Sequence, residues 1–219
     1  MKIKFLTTLA IGLLNIGIVQ ANATLVASLP GGTIVPLPLS NYSGGNPQTF
    51  GPGITWSSTN TDNQSGSLFG YNGVYGFGTN GDWQGIAMAG LNDGFDISLE
   101  INSMTFAFSS PVTAVGGFLN YFPGGTNPVI SVYDGNSALI ESAVLGFSTG
   151  GGINSGMFYG FLENTQQIKY FTLTDAFIGI TDLTVADFAP VPEPATLLLM
   201  VTGLAGLLGL RGRVKRRLA

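Results

Sequence analysis

Five of the six aromatic residues in positions 56–83 have the chemistry best suited to holding a sugar. They lie in a stretch rich in glycine and asparagine, and they are Trp56, Tyr71, Tyr75, Phe77 and Trp83. Aromatic rings pack on the apolar faces of sugar rings, while nearby amides and carboxylates bond the hydroxyl groups. The sequence therefore predicts a glycan-binding face formed by Trp56, Tyr71, Tyr75 and Trp83. The alternative is that these side chains fill a core, as aromatic residues in strands usually do.

Several aspartates have the chemistry of calcium ligands. Asp62, Asp93 and Asp96 lie in or near loops rich in glycine and asparagine, as does Asp82. Calcium binds six to eight oxygens, which such loops supply as carboxylates and carbonyls. The run 60–64 alternates oxygen-bearing side chains as a calcium loop does, but it lacks the loop's glycine and closing glutamate. Ca²⁺ is thus the one cofactor that the sequence suggests, and roles in turns and solubility are the alternative.

The inventory of reactive side chains disfavours an enzyme. The chain contains no histidine and no cysteine, which excludes a Ser-His-Asp triad, a cysteine nucleophile and the usual zinc sites. Paired carboxylates can hydrolyse glycosidic bonds, and Glu100, Glu141 and Glu163 are the only glutamates between residues 24 and 190. Nothing in the sequence pairs them. We therefore expect a protein that is not an enzyme.

The charge of the middle of the chain restricts its partners. Residues 24–190 contain one cation, Lys169, and eleven acids, which gives a net charge of −10. Such a surface repels phosphate backbones, so the sequence predicts no binding of nucleic acid. It favours solubility and divalent cations instead.

The elements that must position these residues are short strands. Met104, Phe106 and Phe108 alternate with small or polar residues, as do the apolar positions of 95–101, and period-two alternation indicates strands with one buried face. Asn72-Gly73 and Asp134-Gly135-Asn136 each stand between two such runs and predict hairpins. Pro111 is expected to end a strand, and Gly116-Gly117 to mark a bulge or bend.

These patterns together predict an all-β fold. About ten short strands with turn signals roughly every ten residues indicate an antiparallel β-sandwich of jelly-roll type, although spacing alone does not separate it from other sandwiches. We place the sandwich at residues 54–190, after a loop-rich N-terminal segment at 24–53 with one strand near its start. Residues 176–185 also resemble, loosely, the last hairpin of carbohydrate-binding-like sandwich modules. That resemblance carries no ligand residues.

The N-terminus has the features of a secretory signal peptide. Lys2 and Lys4 precede an apolar stretch, and Ala21 and Ala23 form a small-x-small cleavage site. We expect signal peptidase to remove residues 1–23, so that the mature chain begins at Thr24.

The C-terminus has a second apolar stretch. Residues 195–210 carry no charge, and as a helix they would be about 24 Å long, a short span for a bilayer core of about 30 Å. The cations that follow are Arg211, Arg213, Lys215, Arg216 and Arg217. The positive-inside rule keeps them cytoplasmic and the bulk of the chain outside. The sequence therefore predicts one C-terminal transmembrane helix with a cytoplasmic anchor.

The order of features at this end resembles a known sorting signal. Pro192, Glu193 and Pro194 precede the apolar run and the basic end, and this arrangement is similar to the PEP-CTERM signal of bacterial exported proteins over residues 191–219. The resemblance implies that an exosortase-like enzyme recognises the tripeptide and processes the tail. It also implies bacteria that make exopolysaccharide.

These expectations combine into one functional hypothesis and one alternative. We expect an exported protein, held in the membrane by its tail before processing and then located at the cell surface or outside the cell. It would be associated with exopolysaccharide or biofilm and would have no enzymatic activity. The alternative is an adhesin module that binds carbohydrate or calcium.

Overall fold

A computed structural model describes most of the region between the two predicted targeting segments. The described residues are 23–51, 53–60, 68–70, 74–92, 101–124, 126–165 and 167–187. Within these ranges the structure is built from antiparallel strands, with one short 3₁₀ turn at Gly78–Asn80 and no α-helix. None of the helical structure in these ranges is long or apolar enough to cross a membrane. The predicted transmembrane helix, with residues 195–210, lies outside the described residues.

The strands are short, and most have three to eight residues. In chain order they are β1 (Thr24–Val26), β2 (Thr33–Ile34), β3 (Gln48–Phe50), β4 (Ile54–Ser58), β5 (Leu68–Gly70), β6 (Val74–Gly76), β7 (Asp82–Gln84), β8 (Met88–Asn92), β9 (Asn102–Val112), β10 (Ala114–Tyr121), β11 (Val129–Tyr133), β12 (Leu139–Val144), β13 (Met157–Leu162), β14 (Ile168–Asp175) and β15 (Phe177–Ala186).

The strands form two large sheets and one small one. A seven-stranded sheet has the order β1-β13-β10-β15-β8-β5, with β2 pairing with β15 beside β8. A six-stranded sheet has the order β12-β11-β14-β9-β4-β3, and β6 and β7 form a separate hairpin. The chain crosses between the large sheets several times, as in the steps from β9 to β10 and from β13 to β14. The predicted jelly-roll connectivity stays a prediction.

The hydrophobic core lies between the two large sheets. One buried cluster contains Phe161 and Ile178 from the seven-stranded sheet together with Phe106 and Phe171 from the six-stranded sheet, all with no exposed surface. The rings of Phe106 and Phe171 stack with centroids 6.4 Å apart. Burying a side chain of this size contributes about 1.5–3 kcal/mol relative to exposing it. This shared core fits the predicted β-sandwich.

Three local predictions from the sequence are confirmed. Met104, Phe106 and Phe108 face the core along β9. Strands β11 and β12 form the hairpin expected around Asp134-Gly135-Asn136, where the Asp134 carboxylate accepts hydrogen bonds from the backbone N–H groups of Asn136 and Ala138. The register between β10 and β15 shifts between Gly116 and Phe118, where a bulge was expected.

Other local predictions are wrong. Strands β5 and β6, on either side of Asn72-Gly73, do not pair with each other: β5 pairs with β8, and β6 pairs with β7. Pro111 does not end its strand, because β9 continues to Val112 while its register with β14 shifts. The N-terminal segment 24–53 contributes three strands to the two large sheets instead of one. Residues 176–185 lie in one long strand and its preceding turn, not in a hairpin.

Candidate functional site

The outer face of the seven-stranded sheet is covered at one place by the β6–β7 hairpin. Phe77, Trp83 and Met88 form a buried cluster there, against which the half-buried Tyr75 packs. The cluster sits directly on Gly179 of β15, where an added Cβ would lie 2.8 Å from Met88 Cε and 3.0 Å from Trp83 Cζ3. The absence of a side chain at Gly179 therefore lets the hairpin approach the sheet backbone.

A second cover comes from the N-terminal segment. Leu29 packs with Ala114 and Ala186 in a small cluster, which Val26 and Phe158 extend. This cluster also lies on the outer face of the seven-stranded sheet, because the main core takes the residues of the inner face. The two covers leave part of the sheet open between them.

The open part lies where β15 changes its neighbour. One edge of β15 pairs with β8 up to Ile180 and with β2 from Thr184. Between them, Val35 N–H donates to the Leu183 carbonyl at 2.7 Å and Thr181 Oγ1 donates to the Ala87 carbonyl at 2.8 Å. This break in the pairing leaves a gap between β8 and β2 along one edge of β15.

A bulge in β15 places an acidic side chain beside this gap. Thr181 pairs with Phe118 and Thr184 pairs with Gly116, so β15 has one residue more than β10 between these two pairs. Asp182 lies in the bulge with φ of +49° and is exposed. Bulges re-aim side chains and are frequent next to functional sites. A left-handed φ on a residue with a Cβ costs on the order of 1 kcal/mol, which the surrounding pairing must offset.

Two adjoining hollows form the groove that we name the β15 groove. The first has a volume of about 530 Å³ and lies between residues 34–39 on one side and the β7–β8 connection on the other, with Phe118, Thr181 and Asp182 beneath. The second, of about 490 Å³, lies between residues 27–30 and Phe158. Phe118 lines both hollows. Each volume is within the range of about 300–1,000 Å³ that ligand sites occupy.

The wall formed by the hairpin is tied down by side-chain hydrogen bonds. Asn154 Oδ1 accepts from the Gln84 N–H at 2.8 Å, and Asn154 Nδ2 donates to the Gln84 carbonyl at 3.0 Å. Trp83 Nε1 donates to the Ser155 carbonyl at 2.9 Å. These bonds hold the β7 strand against residues 153–155, so the groove is formed before a ligand arrives.

A buried amide network lies under the same wall. Asn80 and Asn120 have no exposed surface. Asn120 Nδ2 donates to the carbonyls of Asn80 and Ser155 at 3.1 and 3.0 Å, and Asn80 Nδ2 donates to the Tyr121 carbonyl at 2.9 Å. Buried polar groups that are fully bonded fix a single arrangement of the chain.

The structure places the predicted glycan-binding aromatics apart from one another. Trp56 is buried in the core between the sheets, where its ring meets that of Tyr42 edge-on. Trp83 and Phe77 are buried in the hairpin cluster. Neither Trp56 nor Trp83 therefore offers a ring face to solvent. These three residues fill hydrophobic clusters, which is the alternative that the sequence left open. Tyr75 is half-buried, which raises the pKa of its hydroxyl, and Tyr71 lies outside the described residues.

Two residues of the groove were not singled out by the sequence. Phe118 is 42% exposed, and its ring meets that of Phe158 edge-on at 5.6 Å. The Gly116-Gly117 pair predicted the bulge next to Phe118, but it did not predict the face of the sheet on which Phe118 lies. Asp182 follows a threonine inside a strand-like run, and the alternation of that run did not predict a left-handed backbone conformation at this residue.

The predicted calcium ligands are not brought together in the described part of the chain. Asp62, Asp93 and Asp96 lie outside it, and Asp82 is exposed on β7. Among the described residues no three acidic side chains are grouped closely enough to hold a metal ion. The calcium hypothesis stays a prediction.

Two acids are buried instead. Asp175 is 2% exposed; its Oδ1 accepts from Thr126 Oγ1 at 2.9 Å, its Oδ2 has no partner among the described residues, and burial raises its pKa to about 6. Glu163 is equally buried, and burial, with Glu141 nearby, raises its pKa. The structure thus brings two of the three glutamates within electrostatic range, while Glu100 lies outside the described residues.

Comparison with known proteins identifies the C-terminal region. Residues 190–217 match the family described as the PEP-CTERM protein-sorting motif. The chain therefore carries a PEP-CTERM sorting motif, as its resemblance over 191–219 implied, and the motif marks an exported protein whose processing partner is an exosortase. No curated protein and no solved structure gives a significant match to the chain.

Proposed function

We propose that this protein is a non-enzymatic component of the cell surface or extracellular matrix that associates with exopolysaccharide. The match of residues 190–217 to the PEP-CTERM sorting motif carries the proposal. Pro192 and Pro194 each fix φ and remove a backbone donor, and each disfavours a helical conformation of the residue before it. These restraints favour recognition of the tripeptide by the processing enzyme as an extended segment.

The two ends of the chain support a defined order of events. Signal peptidase removes residues 1–23 during export, and the uncharged run 195–210 then holds the chain in the membrane. The five cations after Leu210 keep the end of the tail cytoplasmic. Processing near Pro192–Pro194 releases the domain to the surface or the matrix.

The groove supports binding without hydrolysis. Among the described residues that line its two hollows, Asp182 is the only ionisable side chain. Hydrolysis of a glycosidic bond usually needs two carboxyl groups on either side of the bond. A single exposed acid in a preformed groove is suited to holding a ligand.

A second function, binding of carbohydrate by the domain itself, is favoured by one observation. The β15 groove combines an exposed aromatic ring, Phe118, with the hydroxyl and carboxylate of Thr181 and Asp182. Apolar surface with a few placed polar groups is the usual composition of a small-ligand site. An exported domain with such a groove would act as an adhesin within the matrix.

The sorting proposal is tested with a reporter that carries residues 1–23 at its N-terminus and residues 188–219 at its C-terminus, in a bacterium that has an exosortase. We expect the reporter to be exported and trimmed, and a variant with Pro192-Glu193-Pro194 scrambled to stay untrimmed in the membrane. Thr202→Ala, a small change within the apolar run, is the control and should be trimmed normally. Identical trimming of the scrambled variant would overturn the proposal.

A further inference from the structure

Among the described residues, Phe118 is the one whose side chain lines both hollows of the β15 groove. Its ring is 42% exposed, and the edge-on contact with Phe158 at 5.6 Å limits its rotation. Gly156 also lies beside Phe118, since an added Cβ there would be in ordinary van der Waals contact with Phe118 Cβ at 3.5 Å. An exposed ring held by an edge-on contact can pack against the apolar face of a sugar.

Asp182 provides a hydrogen-bond acceptor beside that ring. It is exposed in the bulge opposite Phe118 and Gly116, and in the described part of the chain its carboxylate has no partner. The backbone carbonyl of Asp182 accepts a hydrogen bond from Thr184 Oγ1 at 2.8 Å, which leaves the carboxylate unused. A carboxylate accepts up to four hydrogen bonds and donates none, so it is suited to sugar hydroxyl groups.

The charge of the domain decides between kinds of polysaccharide. Lys169 is the only lysine or arginine in residues 24–190, and its ammonium group lies on the six-stranded sheet, where Nζ donates to the Ser109 carbonyl at 2.7 Å. The groove therefore offers no cation to a sugar carboxylate or sulfate. An acidic polymer would instead meet Asp182 and a domain of net charge −10.

From these observations we infer that the β15 groove binds neutral polysaccharide and discriminates against acidic polysaccharide. Phe118 packs on one sugar ring at the junction of the two hollows, and Asp182 accepts hydrogen bonds from hydroxyl groups of the same segment. The hollows on either side of Phe118 accommodate the neighbouring sugars of the chain. This inference rests on the proposed carbohydrate-binding function and names its ligand class and its residues.

The test measures binding of polymers to the full-length chain in which the five tail cations, Arg211, Arg213, Lys215, Arg216 and Arg217, are replaced by glutamine, so that the basic tail cannot itself bind an acidic polymer. The protein is purified in a detergent without a sugar headgroup, and laminarin, xyloglucan and galactomannan are compared with alginate and hyaluronan by affinity electrophoresis and calorimetry. Each polymer is tested with chelator and again with calcium, because calcium could bridge two anionic partners. We expect at least one neutral polymer to bind, and the acidic polymers to bind at least about tenfold more weakly in both conditions.

Variants assign the binding to the groove. Phe118→Ala and Phe118→Leu should weaken it at least about tenfold, equivalent to about 1.4 kcal/mol, and Asp182→Asn by about threefold to tenfold, the effect of one hydrogen bond. Phe122→Ala and Asp187→Asn are the matched controls and should leave it unchanged. Phe122 is an exposed ring packed against Phe177 at 5.9 Å, and Asp187 is an exposed acid; neither lines the hollows.

Three results would overturn the inference. They are the absence of binding to every neutral polymer, acidic binding as tight as neutral binding, and unchanged affinity in both Phe118 variants. The Phe118→Leu variant keeps an apolar side chain and guards against loss of folding, which urea unfolding checks. Because the purified chain is tested, failure here leaves the sorting result of the reporter untouched, and failure of the reporter leaves this result untouched.

Discussion

The outer faces of the two large sheets are built differently. On the six-stranded sheet a row of hydroxyl side chains runs in direct register across five strands, and its members are Ser57, Thr105, Thr172, Ser131 and Ser142. Thr105 and Thr172 bond each other at 3.0 Å. On the seven-stranded sheet, two apolar clusters outside the core cover the face and leave the β15 groove between them.

This difference shows how one fold can carry a face of hydroxyl groups on one sheet and a face with a groove on the other. These short hydroxyl side chains complete the alternation of the strands, and apart from the buried Ser131 they are at least partly exposed. On the other sheet, Gly179 lets the hairpin pack closely, since an added Cβ there would lie 3.0 Å from Trp83 Cζ3 and 3.1 Å from Phe77 Cζ. This glycine therefore allows the hairpin to form a wall beside an open stretch of sheet.

The largest effect is expected where the amide network supports the hairpin wall. Asn120→Ala removes one donor each from the carbonyls of Asn80 and Ser155, which keep Thr149 Oγ1 and Trp83 Nε1 as donors. It also removes Asn120 Oδ1, the acceptor of the buried Tyr121 N–H. Each lost bond costs about 0.5–1.5 kcal/mol, and a buried group left unpaired costs about 1–3 kcal/mol. We expect the free energy of unfolding, measured in urea, to fall by about 2–4 kcal/mol. A loss below about 1 kcal/mol would mean that the network does not support the groove.

The next effect concerns the contact between hairpin and sheet. Gly179→Ala forces the Trp83 and Met88 side chains outward, and overpacking of this kind costs about 1–3 kcal/mol. Tryptophan fluorescence should shift to the red as Trp83 becomes wetter. Gly135→Ala is the control, because an added Cβ there meets nothing within 4 Å, and it should be neutral or slightly stabilising.

A smaller effect on stability depends on pH, and it comes from the buried Asp175 instead of from either outer face. The pKa of Asp175 is raised from 3.8 to about 6 by burial, so the folded state binds this proton more tightly than the unfolded chain does. The stabilisation is complete below about pH 4 and is lost as the pH rises through 6. Asp175→Asn should remove this dependence and raise stability at pH 7 by about 1 kcal/mol, after allowance for solvent screening. Equal slopes of stability against pH in both proteins would contradict this account.

The smallest effect is expected on the hydroxyl face. Thr105→Val removes one partner of Thr172, but both residues are only partly buried, and water can replace the lost bond. Valine also favours strands. The free energy of unfolding should change by no more than about 0.5 kcal/mol. A loss close to that of Asn120→Ala would remove the distinction between the two faces.

The sequence predicted what depends on alternation and on local turns. The buried positions of β9 follow from period two, and the β11–β12 hairpin follows from Asp134, whose carboxylate bonds its own turn. The sequence did not predict that β5 and β6 belong to different sheets, because pairing between distant strands depends on the whole fold. Aspartate tolerates the left-handed region better than most residues, but this weak preference did not single out Asp182, whose conformation accompanies the register shift between β15 and β10.

The most direct test of the central claim is top-down mass spectrometry of the protein recovered outside cells that have the exosortase. The account predicts an N-terminus at Thr24 and a C-terminus that lacks the basic residues after Leu210. In cells that produce a Glu193→Ala variant, the tail should instead remain intact to Ala219 and stay with the membrane. An exported wild-type protein that still ends at Ala219 would contradict the account.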